Sequence, residues 1–150
     1  MSRQSAKRAT DLGLQAAADT NFLVAVMVED DKNHKEALRI WETRDEAVVP
    51  TVVIFELAYF LVKFNLAFEL ISKVVTDPKV HLVENNLDDI LFLARSSSEL
   101  RRYDDVGDQI LLSVARRMGI GIKTFDRALA KRSAKTPSPN AVRNNPPGKP

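Results

Sequence analysis

The sequence contains no cysteine, which excludes a disulfide-stapled scaffold, thiolate metal sites and cysteine nucleophiles, and points to a cytoplasmic protein. It also lacks any long apolar run. The longest uncharged stretches, TNFLVAVMV and AVVPTVVIF, are nine residues each, under half of the ~20 that a membrane-spanning helix needs. No membrane association is expected. The opening MSRQSAKRAT is basic, but no apolar segment follows it, so a secretory leader is not expected either. Histidine is scarce, with His34 and His81 only, and Ser113 has no visible histidine partner. His34, behind Asp30 and Asp31, fits a charged turn before a helix better than a metal site. The chain offers no activated nucleophile of its own.

What it has in quantity is charge, unevenly placed. Residues 11 to 130 carry 14 Lys and Arg against 20 Asp and Glu, a net of −6, whereas the first ten and last twenty residues carry eight basic residues and no acid. A hydrophobic content of 45% with 28% charged suits one globular domain with a substantial core. Five of the seven prolines fall in KRSAKTPSPNAVRNNPPGKP, which has no apolar periodicity and too little apolar surface to offset the entropy of ordering. We expect a basic extension over 1–13, one domain over 14–132, and a disordered basic tail over 133–150. The tail suits a solubilising terminus or an electrostatic arm for a polyanion.

Within the domain, strand and helix patterns alternate. LQAAAD (14–19) is a short strand ending in an acid, and TNFLVAVMVE behind it has helical spacing, with Thr20 or Asn21 as cap. Ala37, Leu38 and Trp41 mark a second, amphipathic helix. AVVP (47–50) fits a buried strand closed by proline. The helix TVVIFELAYFLVKF follows, capped by Thr51, and then the helix LAFELISKVV (66–75), which Asp77-Pro78 ends. KVHLVE (79–84) alternates as a strand, and LDDILFLARSSSELRRY returns to helix. Asp108 opens the helix QILLSVARRM, Gly119 closes it, and IGIKTF is a strand leading to Asp126. This alternation predicts an α/β fold: a central parallel sheet covered on both faces, three layers α/β/α. Its functional crevice would lie beyond the carboxyl ends of the strands.

Four acids fall on that edge. Asp19 and Asp126 end predicted strands, Asp108 starts a helix, and Glu56 lies early in a helix that is otherwise apolar from Val52 to Val62. A buried charge without a partner costs several kcal/mol. Taken singly, each acid has a structural role open to it: Glu56 could pair with Lys63 or reach solvent, and Asp108 and Asp126 could cap helices. Taken together these roles weaken, because carboxylates roughly 6 Å apart repel by about 3 kcal/mol per pair at an effective dielectric near 20. A shared proton or a hard divalent cation removes the repulsion.

AADTN after a strand, the lone glutamate of VVIFELAYFL, and GDQILLSVARRMGIGIKTFDRAL, with 18 residues from Asp108 to Asp126, together resemble the PIN domain, the ribonuclease fold of VapC-type toxins. The resemblance covers about residues 17–130. It implies that Asp19, Glu56, Asp108 and Asp126 are catalytic acids holding one or two Mg²⁺ or Mn²⁺ ions, with Asn21 and Thr124 supporting them or contacting phosphate. Asp105 would assist; YDDVGD leaves the third acid ambiguous by one turn, and the 18-residue spacing favours Asp108. The implied reaction is metal-assisted hydrolysis of RNA, with no covalent enzyme intermediate, in a homodimer that pairs with a small antitoxin. Arg101, Arg102, Lys123 and Arg127 are the candidate contacts for RNA phosphates, whereas Arg116 and Arg117 fit a solvated helix face. No fifth strand is evident unless NAVRN supplies one.

Other classes fit less well. A phosphorylation-type receiver domain needs an acidic pair after its first strand and an aspartate after its third, and has neither here. A non-catalytic PIN-like module for RNA or protein would have no need to keep four mutually repelling acids. A non-toxin RNA-processing PIN nuclease remains an equal match to the residues. The helices TVVIFELAYFLVKF and LAFELISKVV carry more apolar side chains (Phe55, Tyr59, Phe64, Phe68) than one sheet face hides, which predicts an interface.

Overall fold

The computed structural model describes residues 16–135 apart from Asp45. Four strands, β1 (Ala16–Ala18), β2 (Ala47–Pro50), β3 (Val80–Val83) and β4 (Gly121–Lys123), pair in parallel in the order β3-β2-β1-β4. Among the described residues seven α-helices flank the sheet: α1 (Thr20–Met27), α2 (His34–Thr43), α3 (Thr51–Lys63), α4 (Leu70–Thr76), α5 (Leu87–Ala94), α6 (Asp105–Met118) and α7 (Arg127–Lys135). This is the expected three-layer α/β/α arrangement. The chain steps outward from β1 to β3 and then returns past β1 to β4, so its connections diverge between β1 and β4. Such a switch point opens a crevice at the strands' carboxyl ends. Ala18 pairs with Lys123 there, so Asp19 and the residues after Lys123 leave the sheet side by side.

The core explains why β1 needs so little apolar bulk. Its three alanines lie between β2 and β4, bonded on both edges, and Ala17 and Ala18 are buried beside Val48, Val49, Leu23, Leu57 and Leu111. A second cluster joins Phe22 and Ala25 of α1 to Ala37 and Ile40 of α2, with Trp41 and Phe125 packed against it. In α3, Val53, Leu57 and Leu61 repeat every four residues and are fully buried, whereas Phe55, Tyr59 and Val62 on the opposite side are 70–72% exposed. Phe64 and Phe68 are also exposed, as the excess of apolar residues predicted.

Several helix ends differ from expectation, and one of them is closed by a remote partner. The cap of α1 is Asp19, not Thr20 or Asn21: its carboxylate accepts from the Thr20 N–H. Thr51 is the first residue of α3 and does not cap it. Instead Asn85 Oδ1, from the loop after β3, accepts from the Val52 N–H at 2.8 Å and the Thr51 hydroxyl at 2.9 Å. α3 ends where Asn65 takes a left-handed φ of 51°, with Leu66 N–H bonded to Leu61 O and Asn65 N–H to Val62 O. The next helix therefore starts only at Leu70. The predicted helix after Asn86 breaks into α5 and a 3₁₀ turn, Ser97–Glu99. α6 starts at Asp105, a turn before Asp108, and ends at Gly119, whose φ of 68° suits glycine. α7 continues to Lys135, beyond the expected boundary at 132. The N-terminal extension, residues 14 and 15 of the first strand, and the tail from 136 with NAVRN lie outside the described residues.

Arg117 is not on a solvated face. Its Nε and Nη2 reach the two oxygens of Asp89 on α5, each at 3.1 Å, and Asp89 is 1% exposed. Burial opposes the Asp89 charge, but Arg117, Ser113, Asn86 and Asn85 together hold its carboxyl below the usual range. Removing one partner of a buried pair strands the other. Because Arg117 is itself 27% exposed, we expect Arg117→Ala to cost about 3 kcal/mol, the low end for such pairs. A urea midpoint equal to wild type would contradict this. The histidines are also placed structurally: His34 Nδ1 meets Ala25 O at 2.7 Å, and His81 Nε2 lies against the Glu46 carboxylate.

Candidate active site

Asp19 is fixed from three directions at the end of β1. Its N–H donates to Lys123 O at 2.9 Å, its Oδ1 accepts from Thr20 N–H at 2.8 Å, and its Oδ2 accepts from the Thr124 hydroxyl at 2.7 Å. Thr124 in turn accepts from Asp126 N–H at 3.0 Å. Asn21 Oδ1 accepts from Phe125 N–H at 3.1 Å. Asn21 and Thr124 thus lash the β4–α7 turn to the start of α1. Asp126 Oδ1 accepts from Ala128 and Leu129 N–H, so one of its oxygens caps α7 and the carboxyl is held at the switch point.

Glu56 does not pair with Lys63, whose Nζ lies over the Phe64 ring. Its Oε1 accepts from the Thr20 hydroxyl at 3.2 Å, and its carboxyl rests on the α6 backbone at Gly107. Asp108 faces Arg132 of α7, 4.0 Å away, and Arg132 also bonds Gln109. Asp105 is held by the preceding loop. Its Oδ2 accepts from Arg101 and Arg102 N–H, both at 2.9 Å, and these bonds lower its pKa. Arg101, Arg102 and Arg127 are exposed, and Lys123 is half-buried in β4.

Burial and neighbouring acids raise Glu56, Asp108 and Asp19. Burial and then the charge of Asp19 push Glu56 up to about 7, with Asp108 and Asp104 adding to the shift and the Thr20 hydrogen bond opposing it. Burial, Asp19 and Asp126 push Asp108 up to about 6, against Arg132. Asp19 is raised chiefly by burial, despite its hydrogen bonds from Thr124 and Thr20, and Asp126 adds to the rise. Among the described residues, no three His, Asp or Glu side chains form a group that closes on an ion as placed. The chemistry of the donor set nevertheless fits one: crowded oxygen ligands that hold protons reluctantly released are suited to a hard divalent cation. Sequence reasoning did not single out Gly107 or Arg132, and took Thr20 only as a cap. A glycine one residue before the third acid was the available signal for the first.

These shifts set a pH dependence. Glu56 and Asp108 keep protons in the folded state that the unfolded chain, with ordinary values of 4.5 and 3.8, releases. Their contribution to stability is complete below about pH 4 and is lost as pH rises through the folded values. In chelator-treated buffer the melting temperature should be higher at pH 5 than at pH 8 by on the order of 5 °C. Equal melting temperatures would mean the acids are not crowded.

A three-layer α/β/α domain that gathers acids at the switch point of a β3-β2-β1-β4 parallel sheet is of the PIN-like class of nuclease folds. The PIN domain family model matches residues 16–135, and the chain belongs to that family. No curated protein matches the chain in sequence. Solved structures match in fold. VapC20 of Mycobacterium tuberculosis, a sarcin-ricin loop cleaving toxin, superposes with a TM-score of 0.68 at 19% identity, over 79% of this chain and 95% of that one. VapBC2 of Rickettsia felis, bound to a promoter DNA fragment, gives 0.60 at 14% identity over 83% and 96%. DNA-bound VapBC of Salmonella typhimurium gives 0.58 at 18% identity over 83% and 96%.

Proposed function

We propose that this protein is an endoribonuclease that hydrolyses RNA phosphodiester bonds with Mg²⁺ or Mn²⁺, and that it is the toxin of a toxin–antitoxin pair. What supports the reading is that, in a PIN fold, Glu56 and Asp108 are pushed up to about 7 and 6 by burial and by neighbouring acids that include Asp19 and Asp126. Asp19, Glu56, Asp108 and the Asp126 oxygen outside the α7 cap would hold one or two ions. A bound divalent ion would polarise the phosphate and acidify a water. The chain's own part is positional. Thr20 and Thr124 orient Asp19, the α7 cap fixes Asp126, and Gly107 leaves room for the Glu56 carboxyl. Water adds to phosphorus, the bond to the leaving ribose oxygen breaks, and a proton reaches that oxygen; no protein atom bonds to the substrate. Arg101, Arg102, Lys123 and Arg127 would meet RNA phosphates. The test is cleavage of RNA with Mg²⁺, with Mn²⁺ and with chelator. Cleavage that ignores the chelator, or none with either ion, overturns the reading.

The toxin role, with a small antitoxin as partner and a cytoplasmic location, is supported by fold likeness to VapC20 and to the VapBC assemblies. No helix among the described residues is long and apolar enough to cross a membrane. The test of this role is rescue of growth by the product of a neighbouring gene. Absence of toxicity on expression would favour an RNA-processing nuclease. The exposed stripe of Phe55, Tyr59 and Val62 on α3 supports a homodimer, since contiguous apolar surface of this kind marks interfaces. Light scattering of the chain alone should give twice the monomer mass, and Tyr59→Glu should halve it; a wild-type monomer would sink the dimer.

A further inference from the structure

Tyr103 is 94% exposed, more than any other large apolar or aromatic residue among those described. A ring that buries so little adds nothing to the fold. Yet its position is held. Asp105 Oδ2 accepts from the Arg101 and Arg102 N–H groups, Asp105 N–H donates to Arg102 O at 3.1 Å, and Val106 N–H donates to Tyr103 O at 3.3 Å. The Arg101–Tyr103 segment is thereby pinned to the first turn of α6. That turn carries the site: Asp108 lies in it, Gly107 touches the Glu56 carboxyl, and the charge of Asp104, next to Tyr103, is felt by Glu56. Two residues before Tyr103, Arg101 is exposed, and the Arg102 side chain, 73% exposed, lies 3.8 Å from Asp105 Oδ1.

We infer that Tyr103 is a stacking platform for an unpaired nucleobase of the RNA, next to the phosphate that is cut, with Arg101 and Arg102 meeting the adjoining phosphates. The inference rests on the endoribonuclease reading above. Carboxylates not neutralised by bound ions repel phosphates, which weakens phosphate contacts at this edge. A neutral aromatic face adds affinity that the acids do not oppose, and it accepts any base. A base inside a duplex has both faces covered by its stacked neighbours and cannot stack on a protein ring. This contact therefore needs a base freed from duplex stacking and makes little demand on base identity.

The test uses the full chain with Mg²⁺ or Mn²⁺ and one RNA sequence offered single-stranded or annealed to its complement. For Tyr103→Ala we expect kcat/KM on the single strand to fall roughly 5- to 100-fold, mostly through KM, because stacking binds ground and transition states alike. Preference for single over double strand should shrink with it, the melting temperature should not move, and Tyr103→Phe should restore the wild-type KM. If the wild type cleaves RNA and Tyr103→Ala matches it on both substrates, the platform is refuted while the nuclease reading stands. A Tyr103→Phe as impaired as Tyr103→Ala would also refute it, in favour of a hydroxyl contact. Unchanged cleavage with lost binding of a protein partner would assign the ring to that partner instead. A wild type that neither binds nor cuts RNA would remove both readings.

Discussion

Replacing Asp108 with asparagine is expected to lower metal-dependent RNA cleavage by more than ~100-fold while leaving the metal-free protein as stable as wild type or slightly more so. Groups that merely support a metal ligand cost 10–100-fold when removed, so a direct ligand should cost more. Stability should move the other way. Asp108 is disfavoured as an anion by burial and by Asp19 and Asp126, and asparagine keeps its shape without its charge. A capping role would predict a different outcome, but α6 begins at Asp105, so Asp108 sits inside the first turns and no cap is lost. Added Mg²⁺ or Mn²⁺ should raise the melting temperature of wild type more than that of the variant, because a ligand binding only the folded state stabilises it by mass action. Cleavage at the wild-type rate, with equal stabilisation of both proteins by metal, would remove Asp108 from the site.

The candidate acids stood out in the sequence because each was locally anomalous. Glu56 interrupts an apolar helix, and Asp19 and Asp126 end strands where a chain that only needed to fold would tolerate neutral residues. The sheet was legible for a related reason: AVVP and the segment from Gln109 to Phe125 have periods and punctuation that few alternatives share, and Gly119 marked its own left-handed turn. Contacts made across long separations were not legible. Asn85 caps α3 from 33 residues away, and Arg117 pairs with Asp89 across 28. Helical spacing places Arg117 on a face of α6 but does not say that α5 covers that face. Asp105 and Asp108 illustrate the same limit. Both lie in the first turn of one helix; the 18-residue spacing to Asp126 favours Asp108, but the bonds from the preceding loop to Asp105 had no sequence signal.

Gly107→Ala should reduce cleavage about 100-fold without touching an ionisable group. A Cβ at this position would lie 2.5 Å from Glu56 Oε2, 2.8 Å from Cδ and 2.9 Å from Oε1. Because all three carboxyl atoms are too close, rotation of the carboxyl does not relieve the clash, and the side chain must swing away. The helix that carries it has little freedom to retreat, since Val53 and Leu57 on either side of Glu56 are fully buried. Displacing a reacting group by about 1 Å is enough for a loss of order 10². Stability separates this contact from a general helix effect. Alanine inside a helix is worth roughly 0.5–1 kcal/mol over glycine, so in a Glu56→Ala background Gly107→Ala should stabilise the protein by about that much. In the wild-type background the Glu56 carboxyl, the far end of a flexible side chain, must shift, so the gain should be smaller, giving a non-additive pair. Urea denaturation of the four proteins reads this coupling directly. An equal gain in both backgrounds, with cleavage retained, would mean that the Glu56 carboxyl does not rest on the α6 backbone in solution.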